Sequence, residues 1–198
     1  MCSHPAGKAR VPVIAIIIFL VFAIECMAEP GIVNPISDFL SHRSIPVEDK
    51  LLKLETDLNH DGKKQIFLSL TYDTNAAEGN MWIVYLLKKD GTYIRVDQTD
   101  SGDAIEFRRD CYYIGKIPGV HGDVLAGYAH GGEETGSFFA YQFKNNAAQI
   151  VVGKEIHPFG ADKKLFDKLF RGTPKAAVVD LDIPKQCKRH ATCLLTGV

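Results

Sequence analysis

Residues 57–65 read Asp57-Leu58-Asn59-His60-Asp61-Gly62-Lys63-Lys64-Gln65 and run straight into Ile66-Phe67-Leu68-Ser69-Leu70-Thr71-Tyr72. The two halves follow different rules. In the first, oxygen-bearing side chains recur at alternate positions, Asp57, Asn59 and Asp61, and Gly62 closes them. In the second the apolar run is nearly continuous, the pattern of a buried strand. A chain that curls around calcium supplies oxygens from positions 1, 3 and 5. It turns sharply at position 6, where a left-handed conformation is cheap only for glycine. The competing reading is a polar turn whose Asx side chains bond their own backbone.

Downstream, Met81-Trp82-Ile83-Val84-Tyr85-Leu86-Leu87 is a second strand and Tyr93-Ile94-Arg95-Val96 a third. Between them stands Lys89-Asp90-Gly91, whose Asp-Gly pair suits the positive φ angles of a two-residue hairpin turn. The plan returns 56 residues later, where Tyr141 stands for Tyr85, Lys144 for Lys88, Ile150 for Ile94 and Val152 for Val96. Segments 57–97 and 117–153 therefore form a candidate internal repeat, with chance likeness of consecutive hairpins as the alternative. Two such units cannot close a propeller. They are expected to share one sheet or to pack face to face, joined by residues 107–117 as a bridging strand.

Helices are few. Pro35-Ile36-Ser37-Asp38-Phe39-Leu40 predicts one, with proline in the first turn, and residues 161–171 another, with Leu165, Phe166, Leu169 and Phe170 on one face. Gly172 and Pro174 stop the second helix. Residues 51–55 read as the strand leading into the loop, a helical turn being the alternative, and residues 176–181 as a last strand. The expected fold is α+β and mainly antiparallel β: two similar β-meanders with one or two short helices, in a single β-rich domain over residues 29–198.

The first 28 residues read as a signal peptide. Lys8 and Arg10 give a basic start, residues 11–24 are apolar apart from Pro12, and Cys26 and Ala28 are small residues at the −3 and −1 places of a cleavage site. Left uncleaved, the same run would be a membrane anchor; cleaved, it leaves no membrane segment. Glu25 before Cys26 is not the small residue that a lipid-modified cysteine requires. Removing Lys8, Arg10 and Glu25 from totals of 23 basic and 24 acidic residues leaves 21 and 23. A slightly acidic chain argues against nucleic acid as a partner, because that needs a basic face. In a periplasmic or secreted setting Cys187 and Cys193 are the expected disulfide, and Cys111 reads as a small buried hydrophobe.

On Asp57-x-Asn59-x-Asp61-Gly62 the chain resembles the calcium loops of EF-hand proteins. It is more closely similar to those of secreted bacterial FG-GAP and VCBS repeat proteins, where the loop leads into an apolar strand. The resemblance implies one Ca²⁺ held by the side chains of Asp57, Asn59 and Asp61, by the carbonyl of Lys63, and by Gln65 directly or through a water. Leu68 replaces the bidentate glutamate of the helical version, so affinity is expected at the weak end, roughly 10⁻⁴ to 10⁻³ M. Such an ion braces a loop and does no chemistry.

Nothing certifies a catalytic site. A Gly-x-Ser-x-Gly elbow and a phosphate-cradling glycine run are both missing from the sequence. The leading expectation is an exported calcium-binding structural or interaction protein without catalytic activity, meeting an unidentified protein or cell-surface partner. The alternatives are a small periplasmic hydrolase or inhibitor using residues 73–78 and 131–134 around His130, Glu133 and Glu134, or a carbohydrate or cell-wall binder, which needs Trp82 exposed for stacking where the commoner place of such a residue is the core.

Overall fold

Leu51, Leu52 and Leu54 begin the first strand, β1 (Lys50–Thr56), which pairs antiparallel with β2 (Gln65–Leu70), and β2 with β3 (Asn80–Leu87). In the computed structural model, residues 31–43, 45, 49–72, 79–131, 134–171 and 176–183 are described. The expected leader over 1–28, the Cys187–Cys193 pair, the loop at 73–78 and the helix stop at Gly172 and Pro174 lie outside them. Contacts divide the chain into Met1–Gly31 and Ile32–Val198, and every element named here belongs to the second unit.

The first sheet continues through β4 (Tyr93–Val96), while the start of β3 pairs with the short β5 (Ile105–Phe107). The second sheet is a meander of β6 (Tyr112–Gly115), β7 (Val124–His130), β8 (Gly136–Lys144) and β9 (Ala147–Ile156). The chain then returns to the first sheet, where β10 (Val179–Asp182) pairs with the outer side of β1. The protein is mainly antiparallel β with two short helical segments, as the apolar runs predict.

Because those runs are apolar on both faces, each sheet needs a cover on each side. Leu52, Leu54, Phe67 and Val84 of the first sheet meet Leu125, Tyr141 and Phe143 of the second. The Phe67 and Phe143 rings cross edge to face with centroids 5.4 Å apart. The outer face of the first sheet, with Leu51, Leu68 and Tyr85, is covered by Phe39 and Leu40 of α1 (Pro35–Ser41). Asn34 caps that helix by accepting from Ile36 N and Ser37 N, at 3.0 and 3.1 Å. The outer face of the second sheet, with Val124, Tyr128 and Phe138, takes Phe166, Leu169 and Phe170 from α2 (Lys163–Phe166) and the π-helical turn Asp167–Arg171 that continues it. The layers run helix, sheet, sheet, helix.

Three expectations change. Residues 107–117 are not one strand: the chain turns at Arg108–Cys111, where Cys111 N donates to Arg108 O at 3.0 Å, and leaves one sheet for the other. Cys111 is thus a half-buried turn residue. The hairpin at Asp90-Gly91 has three residues, since Lys88 N donates to Thr92 O and only Gly91 takes positive φ, at 83°. A two-residue turn would need positive φ at Asp90 as well. The β8–β9 turn does meet that demand, with Asn145 at 51° and Asn146 at 63°.

Candidate functional site

Residues 57–65 join β1 to β2 and stand at one end of the seam between the sheets. Leu58 is the anchor, 4% exposed and packed in the core the two sheets share. Asp57 closes the curl: its two carboxylate oxygens accept from Asp61 N at 3.2 Å and Gly62 N at 2.9 Å. Gly62 holds the sharp turn at φ 79°, and Asp61 accepts from Lys63 N at 2.9 Å. Both aspartates therefore make the Asx contacts of a self-bonded turn. His60 reaches across to the Asp123 carboxylate, on the loop that leads into β7.

Gln65 is the inner staple. It is 4% exposed, its oxygen accepts from Leu58 N at 2.8 Å, and its amide nitrogen donates to Lys63 O at 3.3 Å. A buried N–H needs an acceptor, which sets which way the amide points. Four of the five expected calcium donors, Asp57, Asp61, the Lys63 carbonyl and the Gln65 oxygen, thus already accept hydrogen bonds within the loop.

Two clefts flank it. Asn59, Asp61, Lys63 and Gln65 line one of about 420 Å³, facing Lys88, Lys89 and the Asn145-Asn146 turn. Asn59 and His60 line another of about 370 Å³, with His121, Asp123 and Gln142. The alternation seen in the sequence thus brings four of the five expected ligands to one cleft, with Asp57 behind them as the brace. The oxygen donors are of the kind calcium takes. Against them, Lys63, Lys88 and Lys89 share the cleft with one lining carboxylate, Asp61, and Lys88 reaches Asp90 at 3.4 Å. Among the described residues no three His, Cys, Asp or Glu side chains gather as a metal cluster.

The other predicted positions scatter. Trp82 is 1% exposed, lies flat on Phe107 with centroids 4.7 Å apart, and donates from Nε1 to Phe107 O at 2.9 Å. That burial agrees with the reading of Trp82 as a core residue and removes the sugar-stacking alternative, which needs it exposed. His130 lines a cleft on the outer face of the second sheet with Arg108, Cys111 and Tyr128; Glu134 is not part of that wall, and Glu133 lies outside the described residues. Sequence reading missed this cleft, since its residues come from three separated segments and form no spaced motif.

The class that fold and site define is a four-layer, mainly antiparallel β protein with an Asx-braced loop at its sheet seam. No helix among the described residues is long and apolar enough to cross a membrane. Compared with protein-family models, curated proteins and solved structures, the chain shows no match.

Proposed function

We propose that the protein is an exported, non-enzymatic binding or structural module in which residues 57–65 take one weakly held Ca²⁺ that braces the junction of the two sheets. The observation that supports this reading is the arrangement of the loop: Asn59, Asp61, Lys63 and Gln65 share one cleft while Asp57 and Gly62 hold the curl. In it, Asn59 and Asp61 supply side-chain oxygens, Asp57 the lone pairs its backbone contacts leave, and Lys63 its carbonyl. The ion supplies positive charge to the clustered oxygens and no catalysis. Export rests on the basic start and apolar run of residues 1–28, and the partner would be a protein or cell surface.

Binding to the folded state alone stabilises by mass action, on the order of 1.4 kcal/mol at ten times the dissociation constant. Calorimetry and thermal melting with CaCl2 at about 10 mM, against MgCl2 at equal ionic strength, should show binding heat and a Tm rise of a few degrees for calcium. Asp61→Asn should abolish both without unfolding the chain, because Asp61 is exposed. Absence of heat and of a Tm change, or an equal response in Asp61→Asn, would refute the proposal.

A further inference from the structure

The geometry points to a second binding site, for a small carboxylate carrying a planar apolar group, in the cleft of about 360 Å³ between the outer face of β7 and the C-terminal helical segment. It shares no lining residue with the clefts beside the 57–65 loop and stands or falls apart from the calcium reading.

Its floor is aromatic. The Tyr128 and Phe166 rings meet edge to face with centroids 5.1 Å apart, and Phe166 and Phe170 are also 5.1 Å apart. Phe159 stands at the rim with 65% of its surface exposed, a large apolar group still in water although aromatic neighbours line the same cleft. A planar ring laid among these side chains gains offset or edge contacts and removes the Phe159 face from solvent.

The polar wall favours an anion. Arg108 and Arg171 line the cleft against one lining carboxylate, Asp110. Asp110 holds the Arg108 guanidinium by Nε and Nη2, both at 3.0 Å, so the fork is oriented while three of its five N–H donors lie outside that pair. Arg171 is steadied by Asp167 at 3.2 Å and lies over the Phe166 ring at 5.8 Å. His130 pairs through Nδ1 with the Tyr128 hydroxyl at 3.1 Å, which leaves Nε2 on the opposite side of the ring. Preorganised guanidinium donors beside an apolar floor are what a carboxylate on a flat body requires. That carboxylate could belong to a free acid or to a peptide chain end.

The test is titration of the full chain with sodium phenylacetate, N-acetylphenylalanine and neutral benzyl alcohol, read by calorimetry and by ¹H–¹⁵N shifts. Saturable binding of the acids is expected, with shifts centred on Tyr128, His130 and Phe166 and with benzyl alcohol at least tenfold weaker, the worth of a charge-assisted hydrogen bond. Tighter binding of phenylacetate assigns a free acid, and of N-acetylphenylalanine a chain end; either supports the site. Arg108→Gln should weaken the acids roughly tenfold, and the rim variant Phe159→Ala, too exposed to endanger the fold, should weaken all three ligands. Unsaturable shifts, equal affinity for benzyl alcohol, or unchanged affinity in both variants would overturn the proposal.

Discussion

Gln65 carries more of the loop than its place in the sequence announces. With its oxygen on Leu58 N and its nitrogen on Lys63 O, one side chain ties the start of the curl to its end while 4% exposed. Gln65→Leu keeps the volume but leaves the buried Leu58 N–H without an acceptor, which costs about 1–3 kcal/mol. A lowered urea midpoint together with fast amide exchange at Leu58 is the expected outcome; unchanged exchange would mean the staple is dispensable. At this scale the sequence made Gly62 legible, since a sharp turn after alternating oxygens asks for positive φ. The role of Gln65 was hidden, because it depends on where the Leu58 N–H ends up. For Trp82 the core position was legible and the partner was not: Phe107, 25 residues away, covers its face.

Among the elements, the C-terminal helical segment was the most readable and yet carries an irregularity. Leu165, Phe166, Leu169 and Phe170 predict one apolar face, and Phe166, Leu169 and Phe170 are buried. From Asp167 the turn widens to π-helical. Phe138 and Tyr128 of the sheet stand against Phe170, with ring centroids at 6.2 and 6.4 Å. Which turn widens depends on the face it must fit, and spacing alone does not encode that. Leu169→Ala removes a core side chain at 4% exposure and should cost about 2–5 kcal/mol, seen as a lowered urea midpoint. Amide exchange in β7 and β8 should rise more than in β1 and β2, whose cover is α1. Hairpins divide similarly: Asn145-Asn146 forms the two-residue turn its residues permit, while Asp90-Gly91 takes a third residue because Lys88 pairs with Thr92.

For the molecule as a whole, phenols buried around the cores link the layers. Tyr85 donates to the Asp38 carboxylate of α1 at 2.7 Å, Tyr141 donates to Glu106 O at 3.2 Å, and Tyr112 donates to Ala176 O. Burial raises the pKa of all three, that of Tyr112 to about 12. A phenol whose folded pKa lies above its unfolded value, about 10, stabilises fully below that value and loses its contribution as pH climbs toward the folded pKa. The urea midpoint should therefore fall from about pH 10 upward, and Tyr112→Phe should soften that fall; a flat midpoint across the window would contradict it.

Gly127 shows the same long-range dependence: a Cβ there would lie 2.2 Å from the Phe107 Cβ, a closeness nothing within β7 foretells. By itself the sequence determined the mainly antiparallel β character, most of the longer strands, the two helical segments and the sharp turn at Gly62, because periodicity and turn chemistry act between neighbours in the chain. Only the tertiary structure decided that the chain crosses sheets at Arg108–Cys111, returns as β10 against β1, lays Trp82 on Phe107, and gathers Arg108, Tyr128, His130 and Phe166 around one cleft. Those outcomes follow from which apolar faces cover one another, a contest between segments far apart that no local pattern records.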